Sequence, residues 1–487
     1  MTSLTPQPPS STQASAPDGF PSQHVPSGFD AHGIQPVDIG SRTSSAPNQF
    51  WIWAGANLAP INWVLGTVGV TLGLSLVETV AVIAVGNALG AAIFGAFCVM
   101  GHRTGVNAMV LSRLAFGRRG AWVPAFAQIL MPMAWVGVNT WVVLDLTVTA
   151  LAKIGITGGV GLEYLIAFVI MAIQVGVATW GYYAIEAFER WTMPIIGTVM
   201  VVMTIVALIH VKADFTTSTV AGADKVSAIS QLMTVIGVGW GITWLVYAAD
   251  YTRFTKPALS DKTVFTTTFF AMFIPVVWLA SLGAFIASSG SGTDPAELVI
   301  TAFGALAVPV LLLIVHGPIA TNIVVMYSST LAALTMDLKI ARWKLSLFAG
   351  VVGSIVLYFF LQSDDFANSI SGWMGSLVVW ISPWAGITLV DFFLLRRGRA
   401  DITQLYAEPS RTVDIRWPGL LALALGLVAG WSVQMGAVDL MQGPFAKALG
   451  GIDLSWLVGL LVGAVAYYLL SIVWARRGTI PMPAPSS

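Results

Sequence analysis

Trp135 and Asn139 stand four residues apart inside an apolar run. On a helix that spacing puts both side chains on one face, an indole plate beside an amide that can donate and accept hydrogen bonds. The pair suits a flat, neutral ring whose faces stack and whose rim carries donors and acceptors. An amidine-like edge fits the amide best. Two ionisable residues also interrupt apolar runs. Asp145 lies ten residues past Trp135, and His316 precedes Gly317-Pro318. Charge within a membrane is expensive, so Asp145 reads either as a structural partner or as a group for gating or proton entry. His316, which titrates near neutral pH, reads either as a buried hydrogen-bonded ring or as a proton-coupling group.

These residues sit in a chain built for lipid. Of its 487 residues 56% are hydrophobic and only 9% charged, with a mean hydropathy of +0.81. Soluble domains carry about a quarter charged residues, so lipid must be the solvent for much of this surface. A formal net charge of zero argues against binding nucleic acid. The single cysteine, Cys98, lies in an apolar run and can form no internal disulfide. Nothing in the sequence calls for a bound metal, a cofactor or a protein partner. It has no phosphate-binding P-loop, no His/Cys metal cluster and no Ser-His-Asp set of motifs.

Residues 1–49 are rich in Ser, Pro, Gln and Gly, hold no apolar run and carry a single basic residue, Arg42. They read as a solvated, disordered tail without the basic start and apolar core of a secretory signal. From Phe50 onward, runs long enough to span about 30 Å of hydrocarbon follow one another. They cover 51–73, 75–100, 121–152, 163–183, 191–210, 227–250, 263–289, 306–335, 343–361, 368–395, 418–436 and 453–475, with 296–305 a possible extra short helix. With the tail inside, 19 of the 23 Lys and Arg fall in inner loops and only Lys153, Lys212, Lys225 and Lys447 fall outside. This asymmetry supports twelve spans with both termini cytoplasmic. Asp250 and Arg253 close the sixth span at the inner surface as a structural or gating pair.

Two spans are poor simple helices. The first holds Gly55-Ala-Asn57-Leu-Ala59-Pro60-Ile-Asn62, and the sixth holds Gly237-Val-Gly239-Trp240-Gly241. Proline removes a backbone donor and glycine weakens a helix. Unwound backbone at membrane depth survives only where protein or a water-filled cavity satisfies it. Breaks at corresponding places in two halves point to a transporter site, here in spans 1 and 6, five apart.

The loop after the second span reads Gly101-His-Arg-Thr-Gly105, then Met109-Val-Leu-Ser112-Arg113-Leu-Ala-Phe116-Gly117-Arg-Arg-Gly120 and Pro124. It closely resembles the signature of the purine–cytosine permeases, in the nucleobase–cation symporter family. Trp51-x-Trp53…Ala56-Asn57, Trp244-Leu-Val-Tyr247-Ala-Ala-Asp250-Tyr251-Thr-Arg253 and Pro383-Trp-Ala-Gly386…Asp391 extend the likeness from about Phe50 to Arg397. The resemblance implies a five-plus-five inverted-repeat fold like that of the sodium–neurotransmitter symporters, with two accessory helices. It also implies substrates that are flat, neutral heterocycles. Residues matching Trp135, Asn139 and a span-6 tryptophan line the family's pocket. Trp244 is the aligned choice, although Trp240 lies nearer the glycine break. Asn322 matches an asparagine that reaches substrate. In sodium-coupled relatives two adjacent hydroxyl residues of span 8 bind the ion with carbonyls of the span-1 break. Here that pair is Ala320-Thr321, one oxygen short, with Gly317 and Ala59 as the adjoining backbone.

The expectation is an all-α polytopic protein of the plasma membrane. Residues 1–49 form a tail, 50–400 a ten-span core, and 401–487 two accessory spans and a short cytoplasmic C-terminus. It imports a nucleobase, cytosine or a purine, by alternating access with H⁺ or Na⁺. Trp135 and Trp244 or Trp240 sandwich the base, Asn139, Asn322 and Asn62 hold its rim, and Thr321, Ala320, Gly317, Ala59, His316 and Asp145 serve the coupling ion. Hydantoin, allantoin, uracil or pyridoxine would suit the same fold. A facilitative pore and a membrane enzyme are the rival classes.

Overall fold

The computed structural model describes residues 33–59, 61–290, 299–300, 303–338, 340–361, 366–406, 413–436 and 441–476. Pro60 and half of the possible short helix at 296–305 lie outside them. Helices α1 (Ala46–Asn57), α2 (Ile61–Thr71), α3 (Leu76–Thr104), α4 (Ala108–Phe116) and α5 (Trp122–Lys153) come first. Then follow α6 (Gly159–Trp180), α7 (Tyr182–His210), α8 (Gly222–Leu232), α9 (Val238–Thr252), α10 (Asp261–Ala287), α11 (Ala307–Ile314) and α12 (His316–Thr335). After them come α13 (Arg342–Leu361), α14 (Phe366–Leu389), a single short turn of helix at Ile402–Tyr406, α15 (Trp417–Ser432) and α16 (Ser455–Arg476). Among the described residues there is no strand, only an isolated bridge between Ser44 and Thr255. Among the described residues nine helical runs are long and apolar enough to cross a membrane, and three shorter apolar helices accompany them.

Helix ends follow local chemistry. Ser75 accepts from the Glu78 backbone N–H while the Glu78 carboxylate takes the Ser75 N–H, a reciprocal cap on α3. Glu78 also pairs with Lys225 at 2.6 Å, at the start of α8. At the other end of α3, Gly105 turns left-handed at φ 68°, as glycine does without steric cost. Asn107 then caps α4, and the Asp250 carboxylate accepts the Ala108 N–H at 2.9 Å. Arg113 donates to the carbonyls of Leu405 and Thr335, and Trp384 donates to the Ser112 hydroxyl. The signature loop is thus a scaffold joining four distant parts of the chain. Asp250 and Arg253, read as a pair, also face other partners. Arg253 donates to the carbonyls of Asp250 and Gly33 and to the Tyr327 hydroxyl.

Both expected breaks are present. Span 1 is parted into α1 and α2 around Leu58 and Ala59. In span 6 a π-helical turn, Met233–Gly237, interrupts the run, and Gly237 adopts ψ −110°. A side chain at Gly239 would put its Cβ 1.6 Å from the Thr234 carbonyl, so the turn requires glycine there. A third break separates α11 from α12 at Val315. Pro318 explains it, because its ring removes the N–H that would reach Ile314 and crowds that carbonyl.

Glycines also set the helix crossings. A Cβ on Gly66 would lie 2.0 Å from the Ala280 carbonyl, and one on Gly283 would lie 2.2 Å from that of Trp63, so α2 and α10 touch backbone to backbone. Helices α3 and α9 meet the same way through Gly90 and Gly241. Small residues at close helix contacts are the usual device in membranes. Near the C-terminus Gly426 and Gly463 let α15 and α16 close on Pro383 of α14.

Two boundaries differ from the sequence reading. The segment 191–210 begins earlier, at Tyr182, because Glu186, Glu189 and Arg190 lie inside helix α7 rather than in a loop. The tail read as solvated to residue 49 is packed from Gly33 onward. The Val37 N–H donates to Gly105, the Ser44 N–H to Phe254, Arg42 to Thr255 and His102, and Tyr406 to Ile34. Backbone hydrogen bonds and one buried valine hold this stretch, features that its polar composition conceals.

Candidate functional site

Helix α12 lies against α5, and the two bring Asn322 and Asn139 together, both fully buried. Asn139 Nδ2 donates to Asn322 Oδ1 at 3.0 Å. Asn322 Nδ2 in turn lies 3.0 Å from the Val136 carbonyl, 3.0 Å from Gln174 Oε1 and 3.2 Å from Thr140 Oγ1. Gln174, on α6, was not singled out from sequence; its only signal was a neutral amide within an apolar run. The network leaves two buried polar atoms without a hydrogen-bond partner, Asn139 Oδ1 and Gln174 Nε2. One is an acceptor and the other a donor, the combination a heterocycle's rim complements. Unmet buried polar groups are costly, so a ligand that meets them gains.

One turn before Asn139 on α5, Trp135 meets Trp240 with ring centroids 6.1 Å apart and planes at 81°. Trp244 sits a turn further along α9, edge-on to Trp53 and against Tyr247. Trp240 is therefore the span-6 tryptophan that faces Trp135. The expected sandwich differs in one respect: the rings meet edge to face, so no parallel slot separates them in this conformation. Trp240 Nε1 donates to Asn57 Oδ1 at 2.7 Å, and Asn57 is the last residue of α1. Asn62 spans the break, its Nδ2 donating to the Asn57 carbonyl at 2.6 Å. It braces the unwound segment beside the tryptophans.

The same break touches α12. Thr321 Oγ1 lies 2.7 Å from the Ala56 carbonyl and 3.0 Å from that of Gly317. A Cβ on Gly317 would fall 2.1 Å from the Leu58 carbonyl and 2.7 Å from Ala59 Cα. Ala320 is fully buried and presents a methyl group. The residues expected to hold sodium are thus adjacent, but they bring a single hydroxyl, already bonded to its neighbours. Hard cations are held by several oxygens, and here one side-chain hydroxyl stands beside the carbonyls of Ala56 and Gly317. His316 Nε2 lies 2.6 Å from Thr192 Oγ1 on α7, and its ring stacks on Phe188. It also lies 3.9 Å from Glu189 Oε2. Sequence reasoning missed Glu189 because its charged surroundings resembled a loop. Asp145 is not among these contacts; ten residues along α5 place it about 15 Å from Trp135.

A family described as permeases for cytosine/purines, uracil, thiamine and allantoin matches residues 36–459. The chain is 24% identical to a purine-cytosine permease of Saccharomyces cerevisiae, over 88% of this chain and 80% of that one. With the cytosine permease of Escherichia coli the identity is 22%, over 86% and 89% of the two chains. In structure it resembles a nucleobase-cation-symport-1 family transporter in a closed conformation with bromovinylhydantoin bound. That likeness has a TM-score of 0.75 at 20% identity, covering 94% of this chain and 98% of the other. A sodium-coupled sialic acid symporter shares the fold at a TM-score of 0.59 and 13% identity, over 92% of each chain.

Proposed function

The chain belongs to the family of permeases for cytosine/purines, uracil, thiamine and allantoin, and on that premise we propose that it imports a nucleobase together with a cation by alternating access. The observation that carries this is the buried amide pair Asn139–Asn322, with a spare acceptor and a spare donor beside Trp135 and Trp240. The base enters when the tryptophans part, stacks on Trp135 and presents its rim to Asn139. The breaks in spans 1 and 6 supply the moving parts, since helices interrupted there can pivot without tearing a continuous ladder. The chain performs no chemistry on its cargo.

The proposed architecture is twelve spans in the plasma membrane, two inverted repeats of five plus two accessory helices, with both termini cytoplasmic. Two crossings support the repeat: span 1 meets span 7 through Gly66 and Gly283, and span 6 meets span 2 through Gly90 and Gly241. Exchanging the halves converts one contact into the other. Ion pairs support the assignment of helix ends to two opposite faces. Arg103–Asp261 and Arg118–Asp337 join ends assigned to the inside, and Lys225–Glu78 joins ends assigned to the outside.

Uptake of radiolabelled cytosine, adenine, hypoxanthine, uracil, hydantoin, allantoin and pyridoxine into proteoliposomes tests the reading, each with and without a pH or Na⁺ gradient. Concentrative uptake of cytosine or a purine under one gradient is the expected result. Equilibration without accumulation would make the protein a pore. Accumulation of another ring alone would move the substrate, since a few side chains decide it on a shared fold.

A further inference from the structure

Glu189 is fully buried on α7, and neither carboxyl oxygen has a hydrogen-bond partner among the described residues. It presses against the helix break: a Cβ on Gly55 would stand 1.8 Å from Glu189 Oε2. Among the described residues no Lys or Arg pairs with it. On its own helix Glu186 is occupied with Asn48 and Ser44, Arg190 is exposed and lies over the Trp191 ring, and Tyr182 and Tyr183 are two turns away. Helices α1 and α11 carry no titratable side chain. Helix α6 has Glu163 and Tyr164 near its far end, and α12 contributes His316 at its start and Tyr327 three turns on. Among the described residues only His316 faces the carboxyl, at 3.9 Å. Its Nε2 is engaged with Thr192, whose hydroxyl donates to the Phe188 carbonyl. Thr192 therefore accepts from His316, the Nε2 carries the hydrogen, and Nδ1 is left bare and buried. A second proton, on Nδ1, would find no acceptor there, so the arrangement favours the neutral ring.

A bare carboxylate sealed away without donor or cation costs several kcal/mol, whereas a carboxylic acid does not carry that penalty. We infer that Glu189 carries the co-transported proton, and that its neutralisation permits span 1 to close over the bound base. This rests on the reading of the chain as a cation-coupled permease and names the cation. The proton arrives from water on one side, binds a carboxylate oxygen, and leaves from the same atom to water on the other; no other bond changes. Three consecutive residues carry the coupling. Gly55 abuts Glu189, the Ala56 carbonyl binds Thr321 next to Asn322, and Asn57 holds Trp240. A hydrated, ionised Glu189 displaces Gly55 and with it the segment that positions the tryptophan. His316 is a positioning residue that holds its N–H beside the carboxyl.

Purified wild-type protein and Glu189→Gln in proteoliposomes provide the test, with two readouts. One is accumulation of labelled base driven by an imposed pH gradient; the other is base exchange at equal concentrations, which needs no gradient. Glu189→Gln, a permanent mimic of the neutral acid, is expected to lose at least tenfold in gradient-driven accumulation while keeping exchange. Glu189→Asp should retain part of both. Wild-type protein in weak buffer should take up about one proton per base bound, a measurement independent of any variant. Unchanged gradient-driven accumulation in Glu189→Gln, or wild-type accumulation that follows Na⁺ and ignores the pH gradient, overturns the assignment. Absence of both exchange and accumulation in wild type for every base overturns the permease reading itself, and this inference with it.

Discussion

Two buried polar clusters share helix α12, six residues apart, and they treat their hydrogen bonds oppositely. Around Asn322, four side chains from three helices bond one another and leave only two atoms unmet. Around His316, a carboxyl with two unpartnered oxygens faces an imidazole with one unpartnered nitrogen. A nearly closed network fixes geometry, because each partner restrains the others. An open cluster cannot hold charge without help and so responds to whatever supplies it. The difference teaches where selection and coupling reside. Recognition of a ring needs fixed donors and acceptors, whereas coupling to an ion needs a group whose comfort depends on that ion. Both clusters are tied to the same three residues ahead of the span-1 break.

The sharpest way to break this contrast is Asn322→Ala. It removes the partner that holds Asn139 Nδ2 and the stronger of the two contacts on Gln174 Oε1, so the spare acceptor and donor are no longer fixed. At about 1–3 kcal/mol for each hydrogen bond lost to the base, affinity should fall by about 30-fold or more. Proton uptake at Glu189 should remain measurable in weak buffer at saturating base. Should Asn322→Ala bind cytosine as wild type does, the amide network is scaffold and the division of labour fails.

Next in size come the tryptophans. Trp135→Ala and Trp240→Ala each remove a stacking plate worth roughly 1–3 kcal/mol, about 5- to 150-fold in affinity, for all bases alike. Trp244→Ala should change affinity by less than about threefold, its ring being turned toward Trp53 and Tyr247. A reversed order in a binding titration would return the second plate to Trp244. Asn139→Gln keeps the amide but moves it by one methylene. Its expected signature is a changed rank order of bases in a competition assay at similar overall affinity.

Outside both clusters the effects should be smallest. Removing residues 1–32 should leave uptake per folded molecule and Tm unchanged. Removal through Gly40 also takes away the contacts of Gly33, Ile34 and Val37 with Arg253, Tyr406 and Gly105. At about 1 kcal/mol for each lost hydrogen bond, Tm should fall by a few degrees. Equal Tm values for the two deletions would show that the packed stretch contributes nothing.

The sequence by itself determined the helical membrane class, the two glycine- and proline-marked breaks, and the family. Hydropathy, backbone chemistry and a long motif are local properties that survive in a linear string. It also supplied Trp135, Asn139 and Asn322, two of them because spacing on one helix is itself local. Only the tertiary structure decided that Trp240 rather than Trp244 meets Trp135, since adjacent turns of α9 differ by a rotation that neighbouring helices fix. Packing likewise placed Gln174 in the amide network. Glu189 is the clearest case. In the string it is one of three charges within five residues that read as a loop, and only the approach of Gly55 and His316 reveals a buried acid without a hydrogen-bond partner among the described residues. Contact between α1, α7 and α12 depends on three-dimensional closure, which residue spacing along one chain does not encode.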